Sequence, residues 1–395
     1  MRYDFESYID RNETGSEKWN EMKMANPDVP HGIVPLSVAD MELKNAPEIM
    51  AGLREYLNDN TMSLGYTLPT GRYSDAIRSW MKRRHGWAVD IDWNVLSPGV
   101  VSAFFHAVRA FTEPGDGVII LSPVYYPFKM AVDSNSRTLV DVPLIVGKSH
   151  YEINWPAFEA AAKKPANKLL LFCSPHNPVG RVWTKAELLR VAEICLKNNV
   201  LVLSDEIHND LIMPGYNHTV YAKLSAEAEQ NCIICTSPSK TFSIAGLQVS
   251  NIFVPNETLR ERFRKEMMSS ALFSLNAIAY KACELAYDKC EAWLNQVIEL
   301  IAKNAGFVED YLAQHIPQIK VYPLEGTYLQ WWDCTALFDN HCEMEDFMQK
   351  KALLFLDEGY IFGDTGKGFE RINLACPTSV LAEALSRLTS ALKAR

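Results

Sequence analysis

Residues 231–242, NCIICTSPSKTF, carry an aliphatic run that stops at a cluster of small hydroxylated residues around Lys240. Ile233 and Ile234, set between two cysteines, read as a strand buried on both faces. Lys240 then lies just past a strand end, the edge at which open α/β sheets build their sites. A lysine there becomes nucleophilic when its ammonium is partly stripped of water, and it forms Schiff bases with carbonyl groups. Taken alone, the segment also fits a solvated surface lysine. Cys232 and Cys235 make a CxxC, yet inside an apolar strand the pair reads as core rather than as a metal or redox site.

The same grammar extends outward. GVIILS (117–122), KLLLFC (168–173), VLVLS (200–204) and NIFV (251–254) are further aliphatic runs. Between two of them, TKAELLRVAEICLKN (184–198) repeats apolar residues at helical spacing, with Thr184 as N-cap. This alternation predicts an α/β fold, a mostly parallel central sheet flanked by helices, over about residues 46–285. Further on, a long helical pattern (276–315) leads into strand-like VYPLEGTYLQWW (321–332), a helix near 343–354, a strand RINLAC (371–376) and a helix over 378–393. That layout predicts a smaller α+β domain over 286–395, on which residues 1–45 pack as an N-terminal segment. The site is expected in the cleft between domains.

Composition narrows the partners. The chain has 395 residues, with 39 Lys and Arg against 48 Asp and Glu and a formal charge of −9. It lacks the basic excess of a protein that coats phosphate backbones, so no nucleic acid is expected. No apolar run approaches the roughly 20 residues that span a bilayer, so no membrane is expected either. The opening MRYDFESYIDRNETGSEKWN lacks the basic and apolar regions of a signal peptide. Nine cysteines scattered through apolar stretches fit reduced thiols, hence a cytoplasmic chain.

Four more stretches gather at the same kind of place. SDEIHND (204–210) sets Asp205 at the end of a strand, positioned to face a cleft ligand or else to cap a helix or bind a metal. Pyridoxal 5′-phosphate needs such a carboxylate against its ring nitrogen, so that the ring can absorb a carbanion's electrons. DExH also resembles a helicase box, but no GxxxxGK[ST] accompanies it. SPGVVSAFFHAV (97–108) is a glycine turn opening a helix, where backbone N–H groups cradle an anion. SPHNPVGRVW (174–183) offers Asn177 to a phenolic oxygen, or plain turn chemistry before Pro178. SPVYYPF (122–128) offers a tyrosine to stack on an aromatic ring, or a core plug. No metal site is expected.

Together these stretches resemble the fold-type I pyridoxal-phosphate enzymes, the aspartate aminotransferase superfamily, across nearly the whole chain. The resemblance implies that Lys240 holds the cofactor covalently, Asp205 pairs with its ring nitrogen, Asn177 donates to its phenolic oxygen and Tyr125 stacks on its ring. It gives the phosphate to the N–H groups of Gly99, Val100 and Val101, helped by Ser237 and Ser239. Arg371 resembles the arginine that holds the substrate carboxylate. Tyr66, in SLGYTLPTG, resembles a tyrosine reaching the phosphate of a neighbouring subunit, which implies a homodimer. Two positions depart from the aspartate aminotransferase pattern. His208 stands where that pattern has a tyrosine, open to donating to the phenolic oxygen or to a structural role, and Gln248 stands where it has an arginine.

PLSVADME (35–42), HNPVGRVW, SPSKTFSIAGLQ, EGTYLQWWD (325–333), RINLACP (371–377) and SEKWN (16–20) are similar to the cystathionine β-lyase group of the MalY/PatB type, bacterial carbon–sulfur lyases. Ser37, Glu42 and Leu43 depart from that group's WVADMDF. The resemblance implies β-elimination from L-cystathionine or a related cysteine S-conjugate, giving pyruvate, ammonia and a thiol. Lys240 would serve as base, and Lys240 or Tyr126 would protonate the leaving thiolate. An aminotransferase using the same residues is the alternative, and a regulatory protein on the same scaffold is a further one.

Overall fold

The computed structural model describes residues 2–59 and 64–395. Its larger sheet holds β1 (Asn94–Ser97), β2 (Gly117–Ile120) and β3 (Thr138–Asp141). After a short β4/β5 hairpin (Ile145–Val146, Tyr151–Glu152), it continues with β6 (Asn167–Cys173), β7 (Leu201–Asp205), β8 (Cys232–Thr236) and β9 (Ser250–Phe253). The strand order is β1-β9-β8-β7-β6-β2-β3. The pairs from β3 through β8 are parallel, whereas β9 runs antiparallel to both β8 and β1. NIFV therefore forms a strand, but a reversed one.

The aliphatic runs are continuous because both faces of the sheet are covered. In β8, Ile234 belongs to one apolar core and Ile233 to the other; in β7, Val202 and Leu203 divide the same way. One face packs on the helices Val100–Phe111 and Glu257–Ser269, through Phe104, Phe263 and Met267. The other packs on Gly71–His85, Lys185–Lys197 and Ala277–Lys289. Cys232 and Cys235 fall in opposite cores and all nine cysteines are unpaired, so the CxxC is two core residues. Thr184 closes a capping box: its Oγ accepts from Glu187 N at 3.2 Å, and Glu187 Oε2 accepts from Thr184 N at 2.7 Å.

A second, antiparallel sheet has the order β10 (Lys320–Val321), β11 (Leu329–Asp333), β13 (Phe369–Asn373), β12 (Asp357–Glu358). VYPLEGTYLQWW is not one strand. Between β10 and β11 the chain leaves the sheet, and the N–H groups of Glu325 and Gly326 both donate to Gly180 O. The long helical pattern splits at Cys290 into Ala277–Lys289 and Glu291–His315. The early chain lies along this sheet: Leu36 N donates to Phe355 O and Asn373 N donates to Leu36 O. Lys18, fully buried, bonds Asp40 O at 2.7 Å and pairs with Glu42 at 2.8 Å, while Arg11 pairs with Asp40 and Glu42. Glu42, one of the departures from the lyase group, thus has the reach to join Lys18, Arg11 and the Trp19 indole at 3.3 Å. Among the described residues, no helix is long and apolar enough to cross a membrane.

Candidate active site

Strand ends deliver several of the anticipated site residues to one place. Asp205 is the last residue of β7, and the next strand, β8, runs straight into the helix Pro238–Thr241 that carries Lys240. Asn177 follows β6, and Gly99 links β1 to the helix Val100–Phe111. These residues, with Val100, Val101, Tyr125, His208, Ser239 and Gln248, line a cavity of 240 Å³. Gly99 has φ +96°, a conformation that side chains rarely adopt, and nothing lies within 4 Å of where its Cβ would be. The helix after it begins with backbone N–H groups that lack helical acceptors and with no acidic residue in its first turn.

A second cavity of 410 Å³ adjoins the first, sharing Ala39, Tyr125 and Lys240 as walls. Tyr126 and Arg371 line it, facing Glu17, Glu21, Asp357 and Glu358. Lys240 Nζ donates to Ala39 O at 2.7 Å, at the junction of the two spaces. Arg371 joins them as well: its Nη1 donates to Asn177 Oδ1 at 2.8 Å. Its Nε and Nη2 are held by Asp357 Oδ2 at 3.0 and 2.6 Å, and the same oxygen accepts from Val38 N at 3.0 Å.

Burial sets the charges. Loss of water brings the Lys240 ammonium down to about 8, with Asp40 opposing the shift. Burial also pushes the Asp205 carboxyl up to about 7, against the hydrogen bond it accepts from Ile207 N at 3.2 Å. His208 is held well below the usual imidazole range by burial and by the nearby charges of Lys240 and Arg371, so the ring is neutral. Among the described residues its Nδ1 is buried without a hydrogen-bond partner, and its ring meets Tyr328 edge to face at 5.8 Å.

Ser237 and Tyr66 do not line the cavities of this chain. Ser237 Oγ is committed to Val249 O at 2.6 Å and to Ser239 at 2.8 Å, and Ser237 lies outside the cavity wall that Ser239 joins. Tyr66 is fully exposed and lines neither cavity of its own chain. Two residues went unnoticed in the sequence. Asp357 belongs to no motif, and only its pairing with Arg371 reveals it. Ala39 lay inside PLSVADME, but its contribution is a backbone carbonyl, which leaves no mark on residue choice.

The family model for aminotransferase class I and II matches residues 32–388. The chain belongs to that family. Among its relatives, the cystathionine β-lyase PatB of Bacillus subtilis is 39% identical over 359 residues, 91% of this chain and 92% of that one. The crystal structure of cystalysin from Treponema denticola, which contains a pyridoxal 5′-phosphate cofactor, superposes with a TM-score of 0.98 at 50% identity, covering all of both chains. A pyridoxal-phosphate-bound carbon–sulfur lyase from Staphylococcus hominis, complexed with L-cycloserine, gives 0.92 at 31% identity, over 99% of this chain and 98% of that one.

Proposed function

We propose that the chain is a pyridoxal-phosphate-dependent carbon–sulfur lyase that eliminates a thiol from L-cystathionine or a related cysteine S-conjugate. One observation carries the reading: a lysine whose amine is brought to about 8 stands at the junction of a cofactor-sized and a substrate-sized cavity, opposite a buried carboxylate and beside a buried arginine. The donor set fits the cofactor. Asp205 would meet a ring nitrogen, Tyr125 a ring face, and Asn177 and neutral His208 a phenolic oxygen. The N–H groups of Gly99, Val100 and Val101 and the Ser239 hydroxyl would hold the phosphate, with uncharged Gln248 nearby rather than an arginine. Bound there, pyridoxal phosphate supplies an electron sink for a carbanion at the substrate Cα.

The chain's own residues do the rest. Arg371 holds the substrate carboxylate, with its remaining edge fixed by Asp357. Lys240 takes the Cα proton, a task its lowered affinity for protons favours near neutral pH. Tyr126, in the same cavity, gives a proton to the thiolate as the Cβ–S bond breaks. The remaining enamine hydrolyses in water to pyruvate and ammonia. Glu17, Glu21 and Glu358 across the cavity suit a distal ammonium such as cystathionine carries.

Three further parts belong to this reading. Tyr66, fully exposed between exposed Leu64 and Leu68, suits donation to the site of a second copy in a homodimer. The chain divides into a large cofactor-binding domain (46–285) and a small domain (286–395) that carries the N-terminal segment (1–45); the two separate sheets favour this division. Nine unpaired cysteines suit the cytoplasm.

Cofactor-loaded protein given L-cystathionine and no keto acid should release pyruvate and thiol in equal, sustained amounts. An absence of both, with half-transamination of ordinary amino acids intact, would move the chain to the aminotransferases. Arg371→Lys, which keeps the charge but loses the planar fork, should raise KM about 10- to 100-fold with a smaller change in kcat. An unchanged KM would remove Arg371 from carboxylate binding.

A further inference from the structure

Glu206 and Asp210, in the stretch SDEIHND, are buried carboxylates that line neither cavity and take no part in the chemistry above. Asp210 accepts a hydrogen bond from Thr241 Oγ1 at 2.8 Å and from Trp80 Nε1 at 3.1 Å, and it stands 2.8 Å from His85 Nε2. Burial alone would raise its carboxyl, but the bonds from His85 and Thr241 bring it below the ordinary value, so it remains ionised. Glu206 has a comparable set of hydrogen-bond partners. It accepts from Ser204 Oγ at 3.0 Å and Tyr221 N at 2.9 Å, and it stands 2.9 Å from His218 Nε2. The two imidazoles meet edge to face, their centroids 6.0 Å apart.

The placement gives this frame its purpose. Glu206 directly follows Asp205, and Thr241 directly follows Lys240. A buried, ionised carboxylate with several donors is among the hardest groups in a protein to displace. We propose that Asp210, clamped by His85 and Trp80, is a positioning residue for Lys240: through Thr241 it fixes the short helix from which the lysine projects, and so the place of Nζ at the junction of the cavities. The inference rests on Lys240 being the reacting amine.

Thr241→Val removes the hydroxyl and keeps the shape. In cofactor-loaded protein it should lower kcat for a cysteine thioether about 10-fold or more, leaving KM within about twofold. Without substrate, the pH midpoint of the cofactor's visible absorbance should move by about half a unit or more. Thr241→Ser should restore both, since it restores the donor. A loss of packing alone would lower Tm without moving that midpoint. Wild-type kcat and midpoint in Thr241→Val overturn the proposal, whatever its Tm. Should that variant not fold, His85→Gln is judged by the same two readouts. Covalent cofactor on Lys240→Ala protein would instead overturn the choice of lysine, which separates the two failures.

Discussion

Lys240→Ala protein, incubated with pyridoxal phosphate and reduced with borohydride, is expected to show no covalent mass gain, while the unchanged protein gains one cofactor mass per chain. Lys240 lines both cavities, and among the described residues no other lysine lines either one. The yellow absorbance of attached cofactor should vanish with it. Turnover should fall at least ~10³-fold, because the variant loses the base that removes the Cα proton as well as the attachment. Added ammonia or methylamine should restore part of the rate if proton removal is the missing step. A variant that keeps both the mass gain and its activity would show that another lysine holds the cofactor.

Asp205→Asn separates two consequences of one buried carboxylate. With cofactor bound, the variant should retain much of its affinity and lose about 10²- to 10³-fold in kcat, since an amide cannot supply the charge that balances a ring cation. Near-normal turnover would contradict the role. Without cofactor the effect on stability runs the other way. The Asp205 carboxyl stands at about 7 in the folded chain against an ordinary 3.8. Between those values the folded chain holds a proton that the unfolded chain has released, so stability falls as pH rises through this window and the whole deficit remains above it. Cofactor-free Asp205→Asn should therefore resist denaturant better than the unchanged protein at pH 8, with the gap closing towards pH 4. Parallel midpoints at both pH values would mean that Asp205 is not held in the unfavourable ionised state.

The central sheet and its cavity were legible because they rest on strong local signals. Runs such as VLVLS and NCIICT hold four consecutive apolar residues, as a sheet covered on both faces requires, and the residues that follow them converge on one edge. The weaker elements carried no such mark. β1 and β3 are four-residue strands, neither of them fully buried, so neither builds an aliphatic run. The reversed direction of β9 is a pairing property, invisible in a strand's own composition. In VYPLEGTYLQWW the apolar residues pack well, but the chain around Gly326 turns to meet Gly180, so tertiary contact overrides strand-like patterning. The motif places Ser237 beside Lys240, but the bond its hydroxyl makes to Val249 O is not written in the motif. Motif spacing reports which residues are near a site, whereas the partner of each side chain is settled by packing.

The reversal of β9 also bears on how such a site can change over generations. A parallel successor to β8 would need a crossover of a dozen or more residues, usually with a helix, carried back across the sheet. An antiparallel neighbour needs no return across the sheet: the thirteen residues 237–249 turn back at the same edge, so Lys240 lies in a span anchored at both ends by adjoining strands. Only residues 237–239 separate β8 from Lys240, so a residue added there would shift that amine relative to the sheet edge. Diversification of substrate range is then left to the walls of the outer cavity, the early segment around Ala39 and the strand bearing Asp357, which can drift while the amine keeps its place.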